Sequence, residues 1–180
     1  MGSKKDKLNI DQELQQIVNE FGPMIVNLAH RFVGNNDDAH DIAQEVFVKA
    51  WNNFSSFEGS SSLKTWLYRI GVNESLNFLR KKKMSSFIES LESGLSFSHY
   101  KSETSEDQFI KKEEKNLVRK AIKSLPKNQR IALTLKSLKN LSYEEIAKVM
   151  SISKSSVESL LFRAKKNLKK KLSKYYFSNY

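Results

Sequence analysis

Apolar residues recur at helical spacing in one segment of this chain after another. From Asp11 onward, Leu14, Ile17, Val18, Phe21, Ile25, Leu28, Ala29 and Phe32 keep to one face. Gly22-Pro23 interrupts the run. Proline removes a backbone donor, so a kink or a pair of helices is expected there. Residues 1–10 read as a frayed polar start. Gly34-Asn35-Asn36 closes the segment, with Asp37 or Asp38 placed to cap the next helix. That helix, Asp38 to Phe54, carries Ile42, Ala43, Val46, Phe47, Ala50, Trp51 and Phe54 as one broad stripe. Its other side carries Asp38, Asp41, Gln44, Glu45 and Lys49. A loop rich in turn formers runs from Ser55 to Ser61. Phe57 in that loop needs either burial or something bound to it. A third helix, Leu63 to Lys83, is capped by Ser61 or Ser62. It turns Leu63, Trp66, Leu67, Ile70 and Leu79 inward by phase. Lys64, Thr65, Tyr68, Arg69, Asn73, Asn77 and Arg80 fall on the outer face. Aromatic, amide and cationic groups together suit bases and phosphates.

Residues 84–112 lose the period and are rich in serine, which reads as a linker with at most a weak helix at 86–92. Helicity resumes near Glu113, with Leu117, Ala121 and Leu125 in phase until Pro126 stops it. Asn128 to Lys136 then buries Ile131, Ala132 and Leu135. From Leu141 to Lys170 the pattern is two short helices around a tight turn. Ser142 and Glu145 form an S-x-x-E capping box. Ile146, Ala147 and Met150 share a face, Ser151-Ile152-Ser153 breaks the pattern, and Ser153 can cap the second helix. Val157, Leu160, Leu161, Ala164 and Leu168 continue at helical spacing. This is a helix-turn-helix pattern, whose second helix can enter the DNA major groove. Ile152 stands where the turn commonly has glycine. Tyr175, Tyr176, Phe177 and Tyr180 near the end suit a packing flap. The expected class is all-α, with two small helical domains joined by a flexible linker.

Composition sharpens this picture. Across 180 residues, 31 Lys and Arg against 20 Asp and Glu leave a net charge of +11. Such a balance points to a polyanionic partner. Arg80-Lys81-Lys82-Lys83 form one basic block. Arg163, Lys165, Lys166, Lys169, Lys170, Lys171 and Lys174 form another. Between them, residues 84–110 hold Glu89, Glu92, Glu103, Glu106 and Asp107 against Lys101 alone. Six glycines and two prolines are few, which favours helices. No cysteine is present, so disulfides and thiolate metal sites are excluded and a cytoplasmic protein fits. No apolar run approaches a membrane span, and MGSKKDKL lacks the apolar core of a signal peptide.

No catalytic constellation emerges. His30, His40 and His99 lack metal-ligand spacing. No glycine-rich phosphate loop or nucleophile elbow is present. Glu144 and Glu145 are adjacent on a helix and so diverge. They read as first-turn charges at the positive end of the helix dipole. The expectation is a protein with no enzyme activity, no cofactor and no metal.

Asp37 to Trp51, DDAHDIAQEVFVKAW, resembles region 2 of the sigma-70 family of transcription initiation factors. Ser62 to Arg80, SLKTWLYRIGVNESLNFLR, continues the likeness. Leu125-Pro126-Lys127-Asn128-Gln129-Arg130 and the helix-turn-helix resemble region 4. The likeness covers roughly residues 11–83 and 113–172, and the order of motifs is that of the extracytoplasmic-function (ECF) type. It implies a factor that binds core RNA polymerase and promoter DNA, and that an anti-sigma factor commonly restrains. The implied polymerase-binding residues are Asp41, Gln44, Glu45, Phe47, Lys49 and Trp51. The −10 element would be held as single strand, with a flipped base, by Phe57, Lys64, Thr65, Arg69, Asn73, Asn77 and Arg80. Trp66 stays open between core packing by phase and the melting site by family pattern. The −35 duplex would meet Ser155, Ser156, Glu158, Ser159, Phe162 and Arg163, with Lys165 and Lys166 on phosphates. Many members have a basic residue followed by S-R-L where this chain has Glu158-Ser159-Leu160-Leu161. Glu158 could accept from a cytosine amino group or only tune phosphate repulsion. The acidic linker would occupy a channel built for nucleic acid, or serve only as a soluble tether. The competing reading is a helix-turn-helix regulator on duplex operators.

Overall fold

A computed structural model describes residues 4–54, 57, 59, 61–93, 116–138 and 141–177. The expected acidic linker lies outside these residues from 94 to 115, as does the end of the aromatic tail. The described residues are helical throughout, with no strand among them. The helices are α1 Lys4–Val33, α2 Asn36–Asn52, α3 Leu63–Ser93, α4 over 116–123, α5 Lys127–Ser137, α6 Tyr143–Met150 and α7 Lys154–Phe177. The chain divides into two compact units. The first takes in α1, α2 and α3 as far as Ser86 together with Lys148–Ser151, and the second the remainder of α4 to α7.

In the first unit, α1 starts at Lys4, against the expected frayed start, and continues through Pro23 as one helix rather than a pair. An interior proline costs about 3 kcal/mol. Ile25 and Leu28, both 0 % exposed, are each worth about 1.5–3 kcal/mol of burial. With Ala29 and Phe32 they press α1 against α2 and outweigh the lost hydrogen bond. Gly34 ends α1 with φ +89°. The cap of α2 is Asn35, ahead of the expected aspartates. Its side-chain oxygen accepts from the Asp38 N–H at 2.8 Å. Asp37 and Asp38 then sit in the first turn, facing the positive end of the dipole. Ala39, Ile42, Ala43, Val46, Phe47 and Ala50 are buried, as the stripe predicts. Trp51 and Phe54 depart from it and are exposed.

The buried face of α3 is rotated from the expected one. It centres on Gly71, where a Cβ would come 2.7 Å from Leu28 Cδ2 and 3.7 Å from Ile25 Cδ1. Thr65, Leu67, Tyr68, Val72 and Ser75 surround that contact and are buried. The Ser75 hydroxyl donates to the Gly71 carbonyl at 2.7 Å, which satisfies it inside the core. Thr65 and Tyr68 are thus inside, where phase places them outside. Small and polar residues at the closest approach of two helices are invisible to hydrophobic periodicity. The helix also continues to Ser93, past its expected end at Lys83.

Two ion pairs tie α2 to α3, Lys49 to Glu74 and Asp38 to Lys82, both at 2.7 Å. The Lys82 ammonium, then Asn35, hold the Asp38 carboxyl below the usual carboxylate range. A lowered folded pKa stabilises the fold above the unfolded value and stops doing so as pH falls through the folded one. Thermal unfolding of Asp38→Asn beside the parent should therefore show the variant less stable near neutrality. The gap should close as pH drops below about 4.

In the second unit α5 packs on α7. Ile131, Ala132, Leu135, Ile146, Val157, Leu161 and Ala164 fill the core. Asn167 donates to the Gln129 side chain at 2.8 Å, so this half-enclosed pair is satisfied. Helix α6 carries its capping box: Glu145 N–H donates to Ser142 Oγ at 3.1 Å and Ser142 N–H to Glu145 Oε2 at 2.7 Å. The turn after α6 is a Schellman motif. Ile152 N–H reaches the Ala147 carbonyl at 3.0 Å and Ser151 N–H the Lys148 carbonyl at 3.3 Å. The left-handed residue is Ser151, φ +54°, while Ile152 is ordinary. A non-glycine there costs about 1–2 kcal/mol. Ser151→Gly should thus stabilise the protein by about 1 kcal/mol, read by denaturant unfolding.

Candidate nucleic-acid interface

Three surfaces gather the functional candidates. The first is the outer side of α2. Asp41, Gln44, Glu45 and Val48 are exposed on successive turns, and Val48 is 55 % exposed despite being aliphatic. Beside them α1 and α2 leave a groove of about 940 Å³ lined by Val18, Val26, His30, Gln44, Phe47 and Val48, among others. Phe47 is largely enclosed, forming the groove's wall and part of the core. Lys49 is spent on Glu74 of α3. Trp51 is 38 % exposed at the far end of the same helix.

The second surface joins the end of α2 to the start of α3. Ser62 Oγ accepts from Thr65 N–H at 3.2 Å and pairs with the Thr65 hydroxyl at 2.9 Å, which starts α3. Thr65 is thereby enclosed as a cap partner, and its side chain does not reach the surface. One residue on, Trp66 is half-buried and supports two phenylalanines. Its ring lies 5.1 Å from Phe57 and 6.4 Å from Phe54 between centroids, and Phe54 and Phe57 are 6.3 Å apart. Such spacings are those of attractive aromatic pairs. Phe54 remains 42 % exposed. The Trp66 indole packs against the loop and floors an open aromatic shelf. Lys64 and Arg69 are half-buried along α3, and Asn73 and Arg80 are exposed. Asn77 donates to Glu74 at 3.3 Å and accepts from Arg80. The chain here offers rings, an amide and cations along one edge.

The third surface is the start of α7. Ser153 Oγ accepts from Ser156 N–H at 3.2 Å and caps the helix. Lys154 is tied back to Glu144 of α6 at 2.6 Å. That contact raises the Lys154 pKa and lowers that of Glu144. Ser155, Ser156, Glu158, Ser159, Phe162 and Arg163 are all exposed, as are Lys165 and Lys166. Phe162 is 70 % exposed, an unusual state for a phenylalanine on a packed helix. Val157, Leu161 and Ala164 face the core behind it. Among the described residues no cluster could hold a metal ion, and no helix is long and apolar enough to cross a membrane.

Residues 17–84 match the family model for sigma-70 region 2, and residues 115–168 that for sigma-70 region 4. The chain is similar to the ECF RNA polymerase sigma-E factor of Haemophilus influenzae, 33% identical over 162 residues, 87% of this chain and 85% of the relative. The counterpart in Escherichia coli strain K12 is 36% identical over 156 residues, 82% and 80% of the two chains. The chain belongs to the ECF sigma factors of the sigma-70 family. In fold, this sigma factor resembles RpoE in its complex with the anti-sigma factor NepR from Bartonella quintana. That match has a TM-score of 0.62 and 27% identity over 90% of this chain and 98% of that one. CnrH, solved with the cytosolic domain of CnrY, shares the fold at a TM-score of 0.65 and 23% identity, covering 91% and 89%. The sigma factor acts in transcription initiation. Its region 2 match takes in the first two surfaces, and its region 4 match the third.

Sequence periodicity gives no sign that Val48 and Phe54 are exposed. Both read as ordinary helix positions, and only their exposure sets them apart. An aliphatic residue at i+4 from Gln44, on a face otherwise polar, is the available signal for Val48.

Proposed function

We propose that this sigma factor joins core RNA polymerase through the outer face of α2 and holds a promoter at two places. Residues 113–172 carry the −35 grip, with α7 laid in the duplex major groove. Residues 11–83 carry the −10 grip, with an unpaired strand along the start of α3. The aromatic shelf of Phe54, Phe57 and Trp66 is the observation that supports this most. A duplex-binding regulator has no use for an open cluster of rings beside an α-helical edge of Asn73, Arg69 and Arg80. An opened strand does, because unstacking costs a few kcal/mol per step. A ring returns about 1–3 kcal/mol per base. The protein supplies no chemistry of its own, and the bond-forming site belongs to the polymerase. It would act in the cytoplasm, where polymerase and promoter are. An anti-sigma factor is a fitting further partner, since RpoE of Bartonella quintana was solved with one.

The test adds the full chain to core polymerase and measures run-off RNA from a library of promoter fragments. Support is RNA from a defined subset of templates that neither component makes alone. Tight duplex binding by the chain, with no change in what core polymerase transcribes, would reject the reading.

A further inference from the structure

Glu158 stands near the start of α7 and is a poor fit to a helix that only neutralises phosphates. It is exposed in the second turn. Among the described residues it takes part in no hydrogen bond or salt bridge. Lys154, one turn earlier, is the cation best placed to cancel it. Its ammonium instead lies 2.6 Å from Glu144 Oε1, on the preceding helix. Lys154 still feels the Glu158 charge, but more weakly than it feels Glu144. Arg163 is turned back along α7, with Nε donating to the Ser159 carbonyl at 3.2 Å. The residues one turn away on Glu158's face are Lys154 and Ser155 before it and Phe162 after it, and of these only Lys154 carries charge. With Lys154 engaged by Glu144, the carboxylate is left without a contacting cation. The cations Arg163, Lys165 and Lys166 lie further along the helix.

A carboxylate at the rim of a major groove faces phosphates and is repelled. At the groove floor its favourable targets are amino groups, which only cytosine N4 and adenine N6 present. Adenine sets the N7 acceptor beside its amino group and repels an anion. Cytosine offers its amino group without an acceptor on the same base. Guanine offers O6 and N7, both acceptors, and is rejected. We propose that Glu158 is a specificity determinant of the −35 grip, accepting from a cytosine amino group and excluding guanine at that place on the strand. Glu144 is its positioning residue, because it keeps Lys154 off the carboxylate. The proposal rests on α7 being the duplex-reading helix.

The test uses holoenzyme made from the full chain and core polymerase, with templates varied at each −35 base pair in turn. Parent, Glu158→Ala and Glu158→Arg are compared for initiation rate. Alanine is a better helix former than glutamate, so the first variant keeps its fold. The parent should prefer cytosine at one position by about 5- to 150-fold. Glu158→Ala should flatten that position alone, and Glu158→Arg should move the preference to guanine at that pair or its neighbour. A uniform change on all templates, or an unchanged profile, overturns the proposal and leaves the −35 assignment standing. Equal initiation by the parent from every −35 variant would take down the duplex-reading role of α7 as well.

Discussion

Phe57→Ala should slow promoter opening by about 5- to 150-fold while the affinity for core polymerase stays unchanged, the range expected for losing one stacked base. Phe57 lies on the loop between α2 and α3, held 5.1 Å from the Trp66 ring and 6.3 Å from Phe54. It is half-exposed, so its removal opens no core cavity. Opening is read from the fluorescence of 2-aminopurine placed in the −10 element, and assembly from a separate titration of core polymerase. Trp66→Ala should hurt more broadly, since that ring supports both phenylalanines. Asn73→Ala should follow Phe57→Ala in direction, because its exposed amide lies on the same edge of α3. Equal opening rates with and without the Phe57 ring would mean that the shelf only packs the loop.

The second large effect concerns assembly. Val48→Asp should weaken binding to core polymerase by about 10- to 100-fold, the scale of a buried interface anchor. Val48 is 55 % exposed in the free protein, so the substitution should leave the thermal midpoint in place. Asp41→Ala and Gln44→Ala should weaken assembly in the same direction by less, since exposed polar side chains at a rim contribute little. Phe47→Ala should behave differently. That ring is largely buried, and its loss should cost stability by about 3–5 kcal/mol. Comparing titration with thermal unfolding across these variants separates residues that touch the polymerase from those that shape the groove.

Much of this can be read from the residues alone, and the failures have physical causes. The helices of both units follow from apolar spacing, and the S-x-x-E box of α6 closes as its residues demand. Of the two outcomes expected at Pro23, the pair of helices does not form, because a propensity of a few kcal/mol yields to the packing of Ile25 and Leu28. The wrong phase on α3 has another origin. Gly71 and Ser75 face the core, where their small size lets α1 approach, and no apolar pattern marks them. Phase draws Thr65 outward for that reason, although its place beside the Ser62 cap encloses it. On the candidate surfaces, residue types are legible and their freedom is not. Lys49, a polymerase candidate by sequence, is engaged with Glu74. Lys154 is likewise engaged, with Glu144 of the preceding helix.

This one chain should make core polymerase open a −10 element that neither opens alone. Permanganate reactivity of thymines across the −10 region measures it most directly, on a template selected by the holoenzyme. Reactive thymines should appear only when core polymerase and the full chain are both present, and should fade with Phe57→Ala. Thymines that stay protected in the holoenzyme, on a template it binds and protects upstream, would contradict the account.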